Sequence, residues 1–163
     1  MAFAEGNVEK AESYFKQAAS KSANAPEVNA NLGLVELVKN NVAKAESYLG
    51  KATGANAANE ALGNLYIKQG QYQRAVNAFG DAKTNSAAQA QILAKDYNKA
   101  KATLQAIKDK DAMTDYLMAI VGARTNNESL VSSSLKSAIA KDASMATLAA
   151  NDREFAKYAS LLK

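Results

Sequence analysis

The stretch that decides the fold is residues 59–82, which read NEALGNLYIKQGQYQRAVNAFGDA. Its first half places Leu62 beside Gly63, and its second half places Ala75 four positions before Phe79. Ala82 follows three positions after Phe79. Spacings of four and three put side chains on one face of a helix. The stretch therefore predicts two packed helices, 56–69 and 71–83, with a glycine at their contact.

The pattern of the second half recurs along the chain. Four segments share turn residues, an apolar residue, one intervening residue, a base and alanine, and a fifth is weaker: residues 6–11, 40–45, 70–75, 95–100 and 126–131. A large apolar residue follows each segment by four positions. A smaller one follows three positions later, giving the series Ala18, Ala52, Ala82, Ile107 and Ala138. Steps of 34, 30, 25 and 31 residues in that series indicate an internal repeat.

A Leu-Gly pair precedes the alanine of the motif in two units, with the glycine at Gly33 and at Gly63. In the second of these units the whole pattern reads Asn59-x2-Leu62-Gly63-x2-Tyr66…Ala75-x3-Phe79-x2-Ala82. It resembles the tetratricopeptide repeat, W-x2-L-G-x2-Y…A-x3-F-x2-A, which has a period of about 34 residues. The resemblance extends from about residue 7 to residue 140. It departs from the family pattern in its leading tryptophan, which is replaced by asparagine.

The resemblance implies an all-α fold, an α–α superhelix or solenoid of about four to five helical hairpins with antiparallel neighbours and a C-terminal capping helix. We expect one repeat domain over residues 1–163, cut from a longer chain. Its units are 1–25 (a second helix only), 26–55, 56–84, 85–109, 110–142 and a cap over 143–163. The predicted helices are 7–22, 26–39, 41–53, 56–69, 71–83, 86–94, 96–107, 111–124, 127–140 and a last one near 151–162. Predicted N-caps are Asn7, Asn41, Asp96 and Asn127.

The composition of the chain argues against a catalytic function. The chain contains no cysteine and no histidine, so thiolate sites are excluded and the commonest general base and metal ligand is missing. No glycine-rich phosphate loop, metal-ligand spacing or activated nucleophile is present. Asp109 and Asp111 are the most suggestive carboxylate pair, but flanking lysines favour a solvated turn. We therefore expect no enzyme, no cofactor and no metal.

Charge and hydropathy limit the partners. A formal charge of +4 comes from 20 basic and 16 acidic residues that are spread singly, without the concentrated basic stripe of nucleic-acid binding proteins. No apolar run reaches the length of a membrane span, and Met1–Gly6 does not read as a signal peptide. The chain as given is expected to be soluble, to bind no nucleic acid and to insert into no membrane, and its compartment stays open.

The first helices of the hairpins should line an inner groove, according to the resemblance. The residues that we place on this groove are Leu34, Val38, Asn64, Ile67, Lys68, Tyr116, Ile120 and Arg124. The alternative is that the apolar members are core and the charged ones merely solvated. A complete clamp for a peptide carboxylate is not expected, because Ala30 occupies the position where a lysine would be needed. Tyr116 is the one tyrosine that we expect as an exposed ring.

The leading functional prediction is a non-catalytic scaffold that binds a peptide or helix of a partner protein in the groove. The alternative is a structural or self-association module of a larger multidomain protein, without a dedicated ligand. The first helix has no preceding partner helix in the sequence, so Val8 and Phe15 are expected to pack on something else. A homo-oligomer through that terminal helix is one expectation.

Overall fold

The computed structural model describes residues 7–52 and 54–162, with side chains described through residue 159. Met1–Gly6, Thr53 and Lys163 lie outside the described residues. With them lie the start of the first repeat motif, the leader prediction and the predicted end of the helix over 41–53. The described elements are α1 Val8–Lys21, α2 Pro26–Val38, α3 Val42–Lys51, α4 Asn56–Lys68, α5 Tyr72–Phe79, α6 Asn85–Leu93, α7 Tyr97–Ala106, α8 Ala112–Arg124, α9 Glu128–Lys141, α10 Ser144–Asn151 and a 3-10 segment Arg153–Leu162.

The chain divides into two compact units, residues 1–79 and residues 80–163. In the first unit, α2 packs on α3 and α4 packs on α5, while α1 packs on α2. In the second unit, α6 packs on α7 and α8 packs on α9. The all-α class and the hairpin pairing predicted from the repeat are confirmed, and no strand occurs among the described residues. A single domain over the whole chain stays a prediction.

The turn between the two helices of each hairpin explains the turn residues of the repeat motif. Its first residue is left-handed in all four hairpins: Asn40 (φ 60°), Gly70 (φ 71°), Lys95 (φ 65°) and Asn126 (φ 54°). The next residue donates its N–H to the carbonyl five positions back, as Gln71 does to Tyr66 at 2.8 Å. This bond satisfies a carbonyl that the helix end leaves free. Glycine and asparagine tolerate the left-handed region best, which accounts for three of the four turns.

A small residue on the first helix of each hairpin is matched by a large one sixteen positions later on the second. Gly33 lies against Leu49 and Gly63 lies against Phe79. At the equivalent positions of the second unit, Ala88 shares a core cluster with Leu104, and Ala119 shares one with Leu135. A methyl group added at Gly63 would lie 2.5 Å from Phe79 Cε2, far inside van der Waals contact. The predicted glycine contact between the helices is therefore confirmed. The repeat thus keeps the side-chain volumes complementary where the two helices of each hairpin meet, a small residue on one helix facing a large one on the other. We call this the volume rule of the hairpin seam.

The last residue of the repeat motif is the fourth residue of each second helix and is buried. The residues at that position are Ala11, Ala45, Ala75, Ala100 and Val131, and each is at most 2% exposed. Alanine at these positions allows helices to approach closely, which is how a chain with 36 alanines and few aromatic residues builds a core.

Three of the four predicted N-caps are confirmed. Asn7, Asp96 and Asn127 each accept a hydrogen bond from the backbone N–H three positions on. The cap predicted at Asn41 is wrong in one respect, since its side chain makes no cap bond. Instead Asn41 Nδ2 donates to the buried carboxylate of Glu36 at 2.7 Å. A buried charge requires such a partner more than a helix end requires a cap.

Two helix ends differ from the sequence prediction. α5 ends at Phe79 rather than at residue 83, because Gly80 adopts φ 57°. The single last helix predicted near 151–162 is wrong as well. The chain forms α10 first and then the 3-10 segment, with a non-helical break at Tyr158. Asp152 separates the two elements, since its carboxylate accepts the N–H of Glu154 at 2.9 Å and so replaces a helical bond.

Candidate partner-binding surfaces

The turns give the register that relates the first helices to one another. Glu36, Tyr66 and Gly122 each accept the bond that closes the turn, so they occupy equivalent positions. Two positions before them lie Leu34, Asn64 and Ile120, and two positions after them lie Val38, Lys68 and Arg124. Six of the eight predicted groove residues thus form two equivalent sets in α2, α4 and α8, and Ile67 and Tyr116 lie outside these sets. α2 and α4 belong to the first unit, and α8 belongs to the second.

In the first unit, Leu34, Val38, Asn64, Ile67 and Lys68 define what we call the α2–α4 face, on two helices that pack on each other. Val38 is 59% exposed, the largest exposed fraction among the large apolar side chains in the described part of the chain. Leu34, Asn64 and Ile67 are half-buried, and Lys68 is exposed. Val38 is therefore not a core residue, whereas Leu34 and Ile67 take part in packing and reach the surface.

The two polar side chains of the α2–α4 face are available for a ligand. Within residues 7–52 and 54–159, neither the amide of Asn64 nor the ammonium of Lys68 has a side-chain hydrogen-bond or ion-pair partner. Ala30 is buried and does not reach the surface of this face. The face offers half-exposed apolar surface next to one amide and one cation.

In the second unit, Tyr116 lies in the core and is only 4% exposed, so the expectation of an exposed stacking ring is wrong. Its hydroxyl donates to Asp152 Oδ2 at 2.7 Å. Burial is the main cause that raises the pKa of Tyr116 well above its ordinary value, and the hydrogen bond to Asp152 and the negative charge of Asp152 raise it further. Its ring meets Phe155 edge to face, with centroids 5.4 Å apart. The C-terminal partners of this ring are far away in sequence, so the helix pattern of α8 alone does not reveal them.

Arg124 is engaged within the chain, unlike its equivalent Lys68. Its guanidinium binds the carboxylate of Glu154 with both Nε and Nη2, the Nε bond measuring 2.6 Å. The hydrogen bonds that Arg124 donates to Glu154 raise the pKa of Arg124. The alternative that Arg124 is merely solvated is therefore wrong, because its guanidinium is paired within the chain. Ile120 is half-buried and packs against the clusters around it.

Two charged clusters that the sequence reading did not single out lie in the first unit. Glu12 accepts from Lys16 at 2.6 Å and from Lys39 at 2.8 Å, and these two lysines lower the pKa of Glu12 to about 2. The second cluster joins Arg74 to Glu46 at 2.5 Å.

The guanidinium of Arg74 also covers the Tyr66 ring, with Cζ 4.1 Å from the ring centroid, and donates to the Tyr66 hydroxyl at 2.7 Å. That hydroxyl in turn donates to Glu46 at 3.1 Å. Each of these two charged clusters joins different helices of the first unit, so both hold those helices against each other.

The described residues hold no cluster of three or more acidic side chains that could bind a metal ion. Asp109 and Asp111 lie between α7 and α8, and Asp111 serves as the N-cap of α8. Its carboxylate accepts the backbone N–H of Thr114 at 2.7 Å and the Thr114 hydroxyl at 2.8 Å, and these bonds lower the pKa of Asp111. None of the helices described here has the length and apolar character that crossing a bilayer requires.

The comparison with protein families matches the geometry. Two family models described as tetratricopeptide repeat match residues 2–66 and residues 57–89, which together cover more than half of the chain. The chain belongs to the tetratricopeptide repeat family. The predicted repeat is thereby confirmed in the part of the chain where its motif is best preserved.

A solved tetratricopeptide repeat protein from Parabacteroides merdae ATCC 43184 has the same fold as this member of the family. The TM-score is 0.77 at 17% sequence identity, and the match covers 99% of this chain and 72% of that chain. The fold class is thus an all-α solenoid of helical hairpins, including the units whose motif is degenerate. No curated protein matches the sequence.

Proposed function

We propose that this tetratricopeptide repeat chain is a non-catalytic scaffold whose α2–α4 face binds a peptide or helix of a partner protein. Tetratricopeptide repeats generally mediate protein–protein interaction, and proteins of this family are typically non-catalytic scaffolds. The observation that carries the proposal is Val38, a large apolar residue that is 59% exposed next to half-buried apolar neighbours. A single exposed apolar side chain is ordinary on a protein surface. Its position on the repeat register is what makes it informative.

The polar groups of the same face support this function. Lys68 and Val38 are equivalent positions of neighbouring first helices, so a cation and an apolar side chain lie on the same part of the surface. Asn64 contributes a free amide one turn before Lys68. A groove of this kind suits a peptide that presents apolar anchors and accepts hydrogen bonds from the face.

The test uses the full chain and a phage-displayed random peptide library. Peptides selected on the wild-type chain are synthesised, and their dissociation constants are measured by fluorescence anisotropy. The variant that decides is Val38→Glu with Lys68→Glu, because both side chains are exposed and lack partners in the described part of the chain. Replacing apolar contact and attraction by negative charge should weaken binding at least about tenfold while helicity stays unchanged.

The matched control is Lys10→Glu with Lys44→Glu, which changes two exposed residues of the second helices α1 and α3. This pair should leave peptide affinity within about twofold of the wild type. Should the control pair abolish binding while the α2–α4 pair does not, the partner surface lies on the second helices and our assignment is wrong. Should no peptide bind specifically, the alternative of a structural or self-association module gains support, and sedimentation at increasing concentration tests it.

A further inference from the structure

The segment Asp152–Tyr158, which we call the C-terminal strap, lies along one face of α8. That face consists of Tyr116, Ile120, Ala123 and Arg124, which share one side of the helix because their spacings are four, three and one. The strap contacts α8 in chain order. Asp152 binds near the start of the helix, Glu154 binds near its end, and Lys157 Nζ donates to Asn126 in the following turn at 2.9 Å. The strap therefore runs in the same direction as α8.

Each strap contact uses a different kind of recognition. Asp152 accepts from the Tyr116 hydroxyl, Phe155 lies edge to face against the Tyr116 ring, and Glu154 forms a two-point pair with Arg124. Two-point pairing between a guanidinium and a carboxylate fixes geometry as well as charge. Together these contacts specify a short sequence, an acid, any residue, a second acid and an aromatic ring.

In the first unit the positions equivalent to Arg124 are not covered by other described residues. Val38 and Lys68 occupy the register position of Arg124, and both are exposed. Leu34 and Asn64 occupy the position of Ile120. The face of α8 that the strap covers is thus the counterpart of the α2–α4 face.

The form of the strap also distinguishes it from the repeat. Each first helix of a hairpin is α-helical, whereas the strap is a 3-10 segment with a break at Tyr158. Its hold on α8 comes from side chains, including Phe155, which is 1% exposed, and Tyr158, which is 7% exposed. Short 3-10 segments have poorer backbone hydrogen bonds than α-helices, so side-chain contacts decide whether the strap stays in place.

We propose that the α8 face is a recognition site for a peptide of the form Asp-x-Glu-Phe, and that the strap is its built-in occupant, which a partner segment of the same chemistry must displace. The inference goes beyond the proposed function, because it concerns α8 and does not depend on the α2–α4 face. A tethered ligand competes at a high effective concentration. The apparent dissociation constant of a free peptide therefore rises in inverse proportion to the fraction of molecules in which the strap is open.

The experiment uses the full chain and a fluorescein-labelled synthetic peptide with the sequence of residues 151–159, NDREFAKYA. The strap of the protein is weakened by Glu154→Gln with Phe155→Ala, while the peptide keeps the native residues. We expect the peptide to bind this variant at least about tenfold more tightly than it binds the wild-type chain. A control peptide that carries the same two substitutions should lose that gain. Adding Lys10→Glu, which changes an exposed residue of α1 outside both faces, should leave the affinity of the variant for the peptide within about twofold.

Equal affinity of the native peptide for the wild type and for a helical strap variant would overturn the proposal. Phe155 belongs to the core of the second unit, so the variant can lose helicity. In that case hydrogen exchange on the wild-type chain decides. Excess unlabelled peptide should accelerate exchange of the strap amides in a saturable way, and the control peptide with the two substitutions should not accelerate it at the same concentration. Strap exchange that does not respond to millimolar peptide shows that the strap is a fixed part of the core.

Discussion

The close contact of Gly63 with Phe79 allows a quantitative test of the volume rule along the hairpin seam. A Cβ atom at residue 63 would lie 2.5, 2.6 and 2.8 Å from three carbons of the Phe79 ring. Carbon atoms in favourable contact are about 3.5–4.0 Å apart, so the ring must withdraw by about 1 Å. Overpacking of this kind costs about 1–3 kcal/mol, whereas replacing glycine by alanine in a helix gains about 1 kcal/mol. Gly63→Ala should therefore destabilise the protein by about 1 kcal/mol, and Gly63→Leu by more.

The rest of the chain supplies the compensating change. Alanine pairs with leucine at the equivalent positions of two other hairpins, Ala88 with Leu104 and Ala119 with Leu135. Phe79→Leu alone should cost about 1–2 kcal/mol, because it leaves a space beside the glycine. Together with Gly63→Ala it should restore a seam of the kind found in those hairpins.

The assay is urea unfolding, monitored by far-ultraviolet circular dichroism, of the wild type, Gly63→Ala, Phe79→Leu and the double variant that carries both substitutions. We expect the loss of stability in the double variant to be smaller than the sum of the single losses by at least about 1 kcal/mol. Gly50→Ala is the control for helix propensity, since nothing lies within 4 Å of its added methyl group. It should stabilise the protein by about 0.5–1 kcal/mol. Additive losses within about 0.5 kcal/mol would refute the volume rule for this seam.

Three further outcomes follow from the structure. Glu12, with its pKa lowered to about 2 from an ordinary 4.5 by Lys16 and Lys39, contributes stability that is complete above about pH 5 and is lost as the pH falls through 4.5 towards 2. Glu12→Gln should cost roughly 0.2–1 kcal/mol at pH 7 and less at pH 2, where about half of the Glu12 carboxyl groups are protonated. Urea unfolding at both pH values measures the two costs, and an equal cost at both would contradict the ion-pair explanation. Lys95→Gly should raise the free energy of unfolding by about 1 kcal/mol in the same assay, since residue 95 has φ 65°, and a decrease would show that other contacts of the lysine dominate. Far-ultraviolet circular dichroism of the wild type should show a largely helical spectrum, and more than about a tenth strand would contradict the fold.

The candidate surface was only partly predictable from the sequence. Helical spacing and the repeat register are local properties, and they place Val38, Lys68 and Arg124 at equivalent positions. Exposure depends on what else packs there, which a repeat motif does not encode. Arg124 is paired by Glu154, thirty residues later, while Lys68 has no side-chain partner within residues 7–52 and 54–159. Tyr116 was expected at the surface and is buried for the same reason.

What the sequence by itself determined is the repeating hairpin. The left-handed turn residue, the buried alanine and the pair of small and large residues sixteen positions apart each act within about one repeat, so they are legible in a single chain. Only the tertiary structure decided where the last elements lie. Asp152 ends α10 by accepting the N–H of Glu154, and the strap then docks on α8 through contacts that span thirty or more residues. Those contacts depend on two distant segments meeting, and no local spacing rule specifies such a meeting.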